Sequence, residues 1–551
     1  MSRFSPRGHA AWLSGRTGEA GHAAGRAAVR DSGEAYGIAA MAAANPDKPA
    51  LVLGDVVRSY GALEARIRQQ ARALQHAGIG PGSRVAVALH NSIEWFEILN
   101  ALGRVGALLV PLSWRGRGPE FAWMLGDAAV SLLIAEPELA PELERALAIH
   151  PLAPERIWVV GTDGASAWRG LGFDEVMAAE SAAELDASFL PGGGYDVMIY
   201  TSGTTGRPRG IVRDAVVPGQ GLAQMRGAAA MWGYGADEVH LVPGPVYHTA
   251  SGSFGQMHLA VGATVVVMPH FDAASALHLI ERHRVTNTQM VPAMFVRILA
   301  LPEAERAAID LSSIQRVLHA AAPCPVAVKQ KIMEVFPAGV VWEFYGASEG
   351  GGTRISPEEW LARPGSVGRP WPGYAVEIRD DAGEILGPGE IGTVWVRPPQ
   401  GLRFSYSNDP EKSEAAWRAG AFTVGDLGHL DSEGYLFLAD RRSDLILSGG
   451  ANVYPAEVEG VLFRHPAVLD AAVVGIADER MGQSVAAVIE LRAAGSATAE
   501  EIAAFCRGEL ASWKCPRRIE IVAELPREPS GKIRKFLLRE ALEQGRPISA
   551  L

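Results

Sequence analysis

The sequence predicts an α/β protein of more than one domain, on three observations. Short apolar runs alternate with amphipathic helical segments from about Tyr36 onward. The pattern changes to turn-punctuated short strands after about Arg363. A chain of 551 residues is also too long for a single hydrophobic core. Taken in order, residues 61–77 repeat apolar side chains at helical spacing, 84–89 are an apolar run of buried-strand type, 92–105 are helical again, and 106–111 form a second apolar strand. This rhythm demands parallel sheets covered by helices, because a parallel crossover needs a connection of helix length. It recurs at 238–242, at 263–268 ahead of a helix over 273–283, and at 315–318. Beyond the loop PGSVGRPWPG, strands at 376–379 and 393–396, separated by DDAGE and GPGE turns, predict an antiparallel module.

A further change near Asp440 opens a small α+β domain, with strands at 471–476, 484–491 and 518–522 and helices at 499–510 and after Lys532. The boundary falls at residues 439–441, dividing an N-terminal domain (34–440) from a C-terminal one (441–551). Residues 1–33, rich in Arg, Gly, Ala and Ser, read as a disordered leader. Their composition imitates an organellar transit peptide but lacks the apolar core of a secretory signal.

Composition excludes several functions. With 51 basic and 62 acidic residues the net charge is −11, which argues against general affinity for nucleic acid or anionic membrane. No apolar run is long enough to span a bilayer. Three cysteines, Cys324, Cys506 and Cys515, make neither a disulfide framework nor a zinc spacing, and fit a reducing, cytoplasmic compartment.

Four segments carry candidate chemistry. YTSGTTGRPRG, from Tyr200 to Gly210, follows an apolar run and combines glycines with hydroxyls, the composition of a loop whose N–H groups converge on an anion. It is not a Walker A loop: five residues after Gly203 stands Pro208, and five after Gly206 stands Ile211. A solvent turn is the alternative. WEFYGASE delivers Tyr345 to stack on a base, Ser348 to donate to a phosphate and Glu349 to hold magnesium through oxygen. The same residues also fit a strand end, expected at Gly346, with a buried tyrosine and a solvated glutamate. In VGDLGHLDSEGYLFLADR, Asp426 sits in a Gly-flanked turn suited to paired hydroxyls, DSEG is a hairpin turn, and Arg441 suits either phosphate and sugar oxygens or an interdomain ion pair. In LPREPSGKIRK, Lys532 follows a Pro-Ser-Gly turn, where it either neutralises a carboxylate attacking phosphorus or is simply solvated.

These four segments, in this order and with RRSDLILSGGANVYPAEVE between the last two, resemble the adenylate-forming superfamily, in its acyl-CoA synthetase branch, from about Tyr36 to Arg539. The resemblance implies a large N-terminal domain of two α/β subdomains plus a distorted β-barrel, and a small mobile α+β C-terminal domain. It implies two half-reactions: a carboxylic acid and Mg-ATP give acyl-AMP, and coenzyme A then displaces AMP. Carried over by position, Thr201, Ser202, Gly203, Thr204, Thr205 and Gly206 would cradle the phosphates, with Thr204 counted beside Glu349 and Lys532 as catalytic. Ala321, Ala322 and Pro323 would border the adenine, with Tyr345 and Gly346 opposite. Ser348 would meet the α-phosphate and Glu349 the Mg²⁺. Asp426 and Arg441 would hold the ribose, Ser443 would be the hinge, and Gly449 and Gly450 would face the pantetheine arm. His248 would gate a substrate pocket lined by Ala250, Ser251 and Gly350.

Small residues at 250–253 and the run Gly350-Gly351-Gly352 predict a roomy pocket for a fatty, aryl or bulky polycyclic acid, and no aspartate typical of amino-acid selection appears there. The chain departs from the family pattern at Arg209 (usually Lys), Ser348 (usually Thr) and Ser443 (usually Asp or Lys). Open alternatives are an enzyme for the thioester-forming half-reaction alone, a loader of a carrier protein's phosphopantetheine, and a nucleotide-binding regulatory relic. A homodimer is equally open.

Overall fold

The computed structural model of the chain describes residues 37–161, 168–186, 188–190, 197–201, 208–213, 221–527 and 532–550. The expected leader lies outside them. Two parallel sheets form the body of the N-terminal domain. One orders Leu108–Pro111, Arg84–Ala88, Leu132–Ala135, Ile157–Val159 and Leu171–Gly172 side by side. The other runs parallel from Pro49–Leu53 through Thr264–Val267, Val239–Val242, Asn287–Met290 and Arg316–His319 to Val341–Ala347.

Helices Tyr60–His76 and Ile93–Val105 share one core with strands of both sheets, where Leu63, Ile67, Phe96 and Leu99 meet Leu51, Val265, Val85 and Leu132. Each starts at a serine whose hydroxyl accepts a backbone N–H, Ser59 from Ala62 and Ser92 from Trp95. The second is buried nearly all round, as a helix lying between two layers must be.

At Val341–Ala347 the sheet changes character. That strand turns back as a hairpin onto Gly350–Ile355, and Ser366–Pro370, Leu436–Arg441, Asp426–Leu430 and Gly392–Arg397 continue the sheet antiparallel. The expected strands at 376–379 and 393–396 pair antiparallel as Ala375–Arg379 and Gly392–Arg397. A separate small sheet joins Ile199–Thr201, Arg209–Arg213 and Phe404–Tyr406.

After Arg441 the chain builds a five-stranded sheet around the long hairpin Val468–Asp478 and Gly482–Leu491, with Arg518–Val522 parallel at its side. The short hairpin Ile446–Ser448 and Ala451–Val453 and the helix Pro455–Leu462 were not anticipated. Gly-rich and Pro-initiated, they read as loop in sequence.

One buried ion pair fixes the strand that turns the sheet. Lys329, on helix Val326–Val335, places Nζ 2.6 Å from Glu343 Oε2 and 4.6 Å from the Trp360 ring centroid. Burial pulls the lysine's pKa down and the glutamate's up, while their mutual attraction opposes both shifts. Removing one partner strands a buried charge. Lys329→Met is therefore expected to lower stability by about 3–5 kcal/mol in chemical denaturation. The double variant Lys329→Met, Glu343→Leu should regain much of that loss, and equal loss in both variants would show that the pair is not the cause.

Candidate active site

A cleft of about 2730 Å³ lies where the two domains meet, and residues from both line it. A drug-sized ligand needs only about 300–1,000 Å³, so two substrates fit together. Its centre is the hairpin tip. Ala347 pairs with Gly350, leaving Ser348 and Glu349 as a two-residue loop pointing into the cleft. The strand does not stop at Gly346 as expected. It continues to Ala347 with a register shift between Tyr345 and Ala347, an irregularity of the kind that re-aims side chains beside a site. Ser348 is held from two sides: its carbonyl accepts from Arg213 Nη2 at 3.0 Å, and its hydroxyl lies 3.0 Å from that of Thr249. Glu349 Oε1 accepts from the Tyr406 hydroxyl at 3.0 Å.

Beside the tip, the hairpin turned at DSEG, with a register shift between Leu427 and Gly428, sets Asp426 opposite Arg441 across two antiparallel strands. Arg441 Nε lies 3.3 Å from Asp426 Oδ1, and the Tyr345 hydroxyl donates to Asp426 Oδ2 at 2.6 Å. Burial, then the Asp426 charge, pushes the Tyr345 hydroxyl well above its ordinary pKa, so it remains a donor. Gly425 precedes Asp426 at φ 85°, a conformation that favours glycine. Ala321, on the opposite rim with Ala322 and Pro323, holds φ 75°, a strained value for a residue with a Cβ.

The small domain contributes Lys532 to the same cleft, close enough to His248 for its charge to act there. Residues 528–531, just before it, lie outside the described residues, but both flanks are tied down. Arg527 forms a close ion pair with buried Asp470, and Lys535 Nζ lies 2.8 Å from Glu459 Oε1. His248 immediately precedes helix Thr249–Ala260, and burial, then Lys532, depresses its pKa to about 3.

Of the other expected residues, Thr201, Ala250, Ser251, Gly346 and Ser443 also line the cleft. Ser202, Gly203, Thr204, Thr205 and Gly206 lie outside the described residues. Gly449 and Gly450 do not reach the cleft. They form the tip between Ile446–Ser448 and Ala451–Val453, with φ of 59° and 83°.

The expectation of a roomy pocket is corrected at its glycines. A Cβ on Gly351 would meet the Trp371 ring at 2.2 Å, one on Gly350 the Phe422 ring at 2.8 Å, and one on Gly352 the Tyr345 carbonyl at 2.4 Å. The space those glycines leave is occupied by neighbours and is not open. Arg213, Thr249 and Tyr406 were missed, since a lone hydroxyl or cation outside a motif carries no signal in sequence.

Among the described residues no cluster of three or more ligating side chains could hold a metal. A single carboxylate, Glu349, suits magnesium, which takes one or two carboxylates and fills its remaining positions with phosphate and water.

The N-terminal region matches the family model of AMP-binding enzymes over residues 38–404, and the AMP-binding enzyme C-terminal domain matches over 457–532. Indoleacetate–CoA ligase of Aromatoleum aromaticum is 33% identical, over 90% of this chain and 95% of that protein. The fatty acid–[acyl-carrier-protein] ligase ScoC of Streptomyces coeruleorubidus is 31% identical, over 90% and 93%. The crystal structure of the anthranilate CoA ligase AuaEII in complex with anthranoyl-AMP superimposes with a TM-score of 0.81 at 26% identity, covering 94% of this chain and 99% of that one.

Four histidines, three of them buried and His248 half-buried, make stability pH-dependent. His240 and His319 are held well below their ordinary pKa of 6.5, and His248 and His258 at about 3, burial being the largest cause in each. Folded, they stay neutral; unfolded, they protonate near their ordinary value. The stability this gives is complete above about pH 6.5 and is lost progressively toward about pH 3. The denaturation midpoint should therefore fall between about pH 7.5 and about pH 5. His248→Gln should shrink that difference.

Proposed function

The chain is an enzyme of the AMP-binding family within the adenylate-forming superfamily, and from that premise we propose that it activates a carboxylic acid with ATP to acyl-AMP and passes the acyl group to coenzyme A. The observation that carries this reading is the meeting of Lys532, from the small domain, with the Ser348–Glu349 tip and the Asp426–Arg441 pair of the large domain in one cleft.

Two anions, a carboxylate and a triphosphate, must approach each other, so the barrier is mainly one of charge and position. Asp426 accepts hydrogen bonds from the ribose hydroxyls, and Arg441 and Tyr345 keep its carboxylate oriented. Ala321–Pro323 border the base. Ser348 donates to the α-phosphate, its hydroxyl steadied by Thr249. Thr201, with the hydroxyls and glycines that follow it, binds the remaining phosphates. Lys532 lies between acid and nucleotide, offsetting their repulsion. Glu349 would hold magnesium, which when bound neutralises phosphate charge. Neutral His248 beside Lys532 closes the acid's entry without adding a second cation.

The second half-reaction needs a different face of the small domain. The Gly449-Gly450 tip, outside the cleft lining, comes to the thiol's path by rotation about Ser443, which is exposed and donates to Asp444 Oδ1 at 3.3 Å. A carrier-protein thiol is the second reading, favoured by the similarity to ScoC. Turnover of one acid with coenzyme A against holo-carrier protein separates the two.

Lys532→Ala should slow acyl-AMP formation by about 10²–10³-fold, as loss of one transition-state donor does. Thioester formation from supplied acyl-AMP should suffer far less. Equal loss in both half-reactions, followed by pyrophosphate exchange and thioester release, would refute the role given to Lys532.

A further inference from the structure

The acid side of the cleft has a definite shape. Alternation along strand Val341–Ala347 puts Trp342, Phe344 and Gly346 on one face. Two strand residues advance about 7 Å, so these three mark a path about 13 Å long from the hairpin tip inward. Helix Thr249–Ala260 supplies Ala250, Phe254 and Met257 to the same aromatic cluster, at helical spacing. Trp371, whose Nε1 donates to the Thr353 carbonyl at 3.0 Å, occupies the space above Gly351.

Trp232 ends the path. It is the last residue of helix Gly221–Trp232, only 4% exposed, and its ring centroid lies 5.9–6.5 Å from those of Phe254, Trp342, Phe344 and Trp371.

Beside this ring the lining becomes charged. Arg316 lies over the faces of Tyr234 and Trp342, at 5.5 and 5.7 Å, and donates to the Trp232 carbonyl. Arg354 lies 5.4 Å from the Trp232 centroid and donates to the Met231 carbonyl at 2.7 Å. Among the described residues neither guanidinium forms an ion pair. Glu238 accepts from Asn287 Nδ2 at 2.8 Å and lies 3.4 Å from His258 Nε2. Burial pushes its pKa up to about 7, against the pull of the nearby Arg316 charge. Trp232, Arg316, Arg354 and Glu238 all line the cleft.

We propose that this site takes a flat aryl carboxylic acid bearing a hydrogen-bond acceptor at the end remote from its carboxylate, with Trp232 setting the depth and Arg316 reading the acceptor. The proposal rests on the acid-activating function above. Ring faces and edges favour an aromatic guest. A long alkyl tail would have to displace Trp232 or bury its methyl end against the Arg316 guanidinium, which an acceptor oxygen would instead satisfy.

The test uses the full-length enzyme with ATP and three acids: cinnamate, 4-carboxycinnamate and dodecanoate. Binding is followed by quenching of tryptophan fluorescence and activation by pyrophosphate release. We expect kcat/KM for 4-carboxycinnamate to exceed that for cinnamate and dodecanoate at least tenfold (~10-fold corresponds to one bidentate contact of about 1.4 kcal/mol). Arg316→Met should erase the difference between the two aryl acids through KM, and Trp232→Ala should raise the ratio of dodecanoate to cinnamate turnover. Dodecanoate as the best wild-type substrate, or indifference to the distal carboxylate, overturns the proposal even if neither variant folds. Aryl quenching without pyrophosphate release from any acid would support the slot and refute the activating function. Release from dodecanoate without aryl quenching would do the reverse.

Discussion

Strand Val341–Ala347 has to serve two faces with one backbone, and much of the site follows from that constraint. Its odd positions, Val341, Glu343 and Tyr345, look one way, and its even positions, Trp342, Phe344 and Gly346, look the other. Glu343 anchors the first face through buried Lys329, and two residues on, Tyr345 reaches Asp426. The second face lines the cleft with Trp342, Phe344 and Gly346. A slip of one residue would exchange the two faces, sending a carboxylate into the aromatic slot and a tryptophan into the ion pair. The Lys329–Glu343 pair is thus a register lock as much as a source of stability, since its misplacement would leave two buried charges apart.

The hairpin at the end of that strand turns a sheet feature into a chemical one. Ser348 and Glu349 are exposed to the cleft because the two-residue loop has nowhere else to project, and the irregularity at Gly346 aims them. The antiparallel strands that continue the sheet bring Asp426 and Arg441 alongside at fixed cross-strand distance. One sheet therefore holds Ser348, Glu349, Asp426 and Arg441 of the large domain. Lys532 comes from the small domain, on a segment clamped at Arg527 and Lys535.

Glycine misled the reading of the substrate pocket, and the reason is instructive. In sequence, a run of glycines means absent side chains and hence space. In the fold, Trp371 and Phe422 lie where the side chains of Gly351 and Gly350 would be. Small residues make room, but what fills the room comes from elsewhere in the chain. Trp232 and Trp371, which shape the slot, carried no signal of their own, because an isolated tryptophan reads as core.

Much of the architecture was legible because it is local. Hydrophobic periodicity marked the helix over residues 273–283 and the strand over 518–522, and both fold as Ala273–His283 and Arg518–Val522. The DSEG turn was legible as a hairpin, but its position alone would set Asp426 opposite Asp440; the register shift between Leu427 and Gly428, which the sequence does not signal, brings Arg441 there instead. The sequence by itself determined the α/β class, the motif set and the family, all of which rest on spacing along the chain. Only the tertiary structure decided that Lys532 comes near His248, that Arg213 and Thr249 hold Ser348, and that Trp232, Phe254, Trp342, Phe344 and Trp371 cluster in the cleft. Those contacts join residues far apart in the chain, and close packing of separately folded elements, which no local pattern encodes, sets the distances between them.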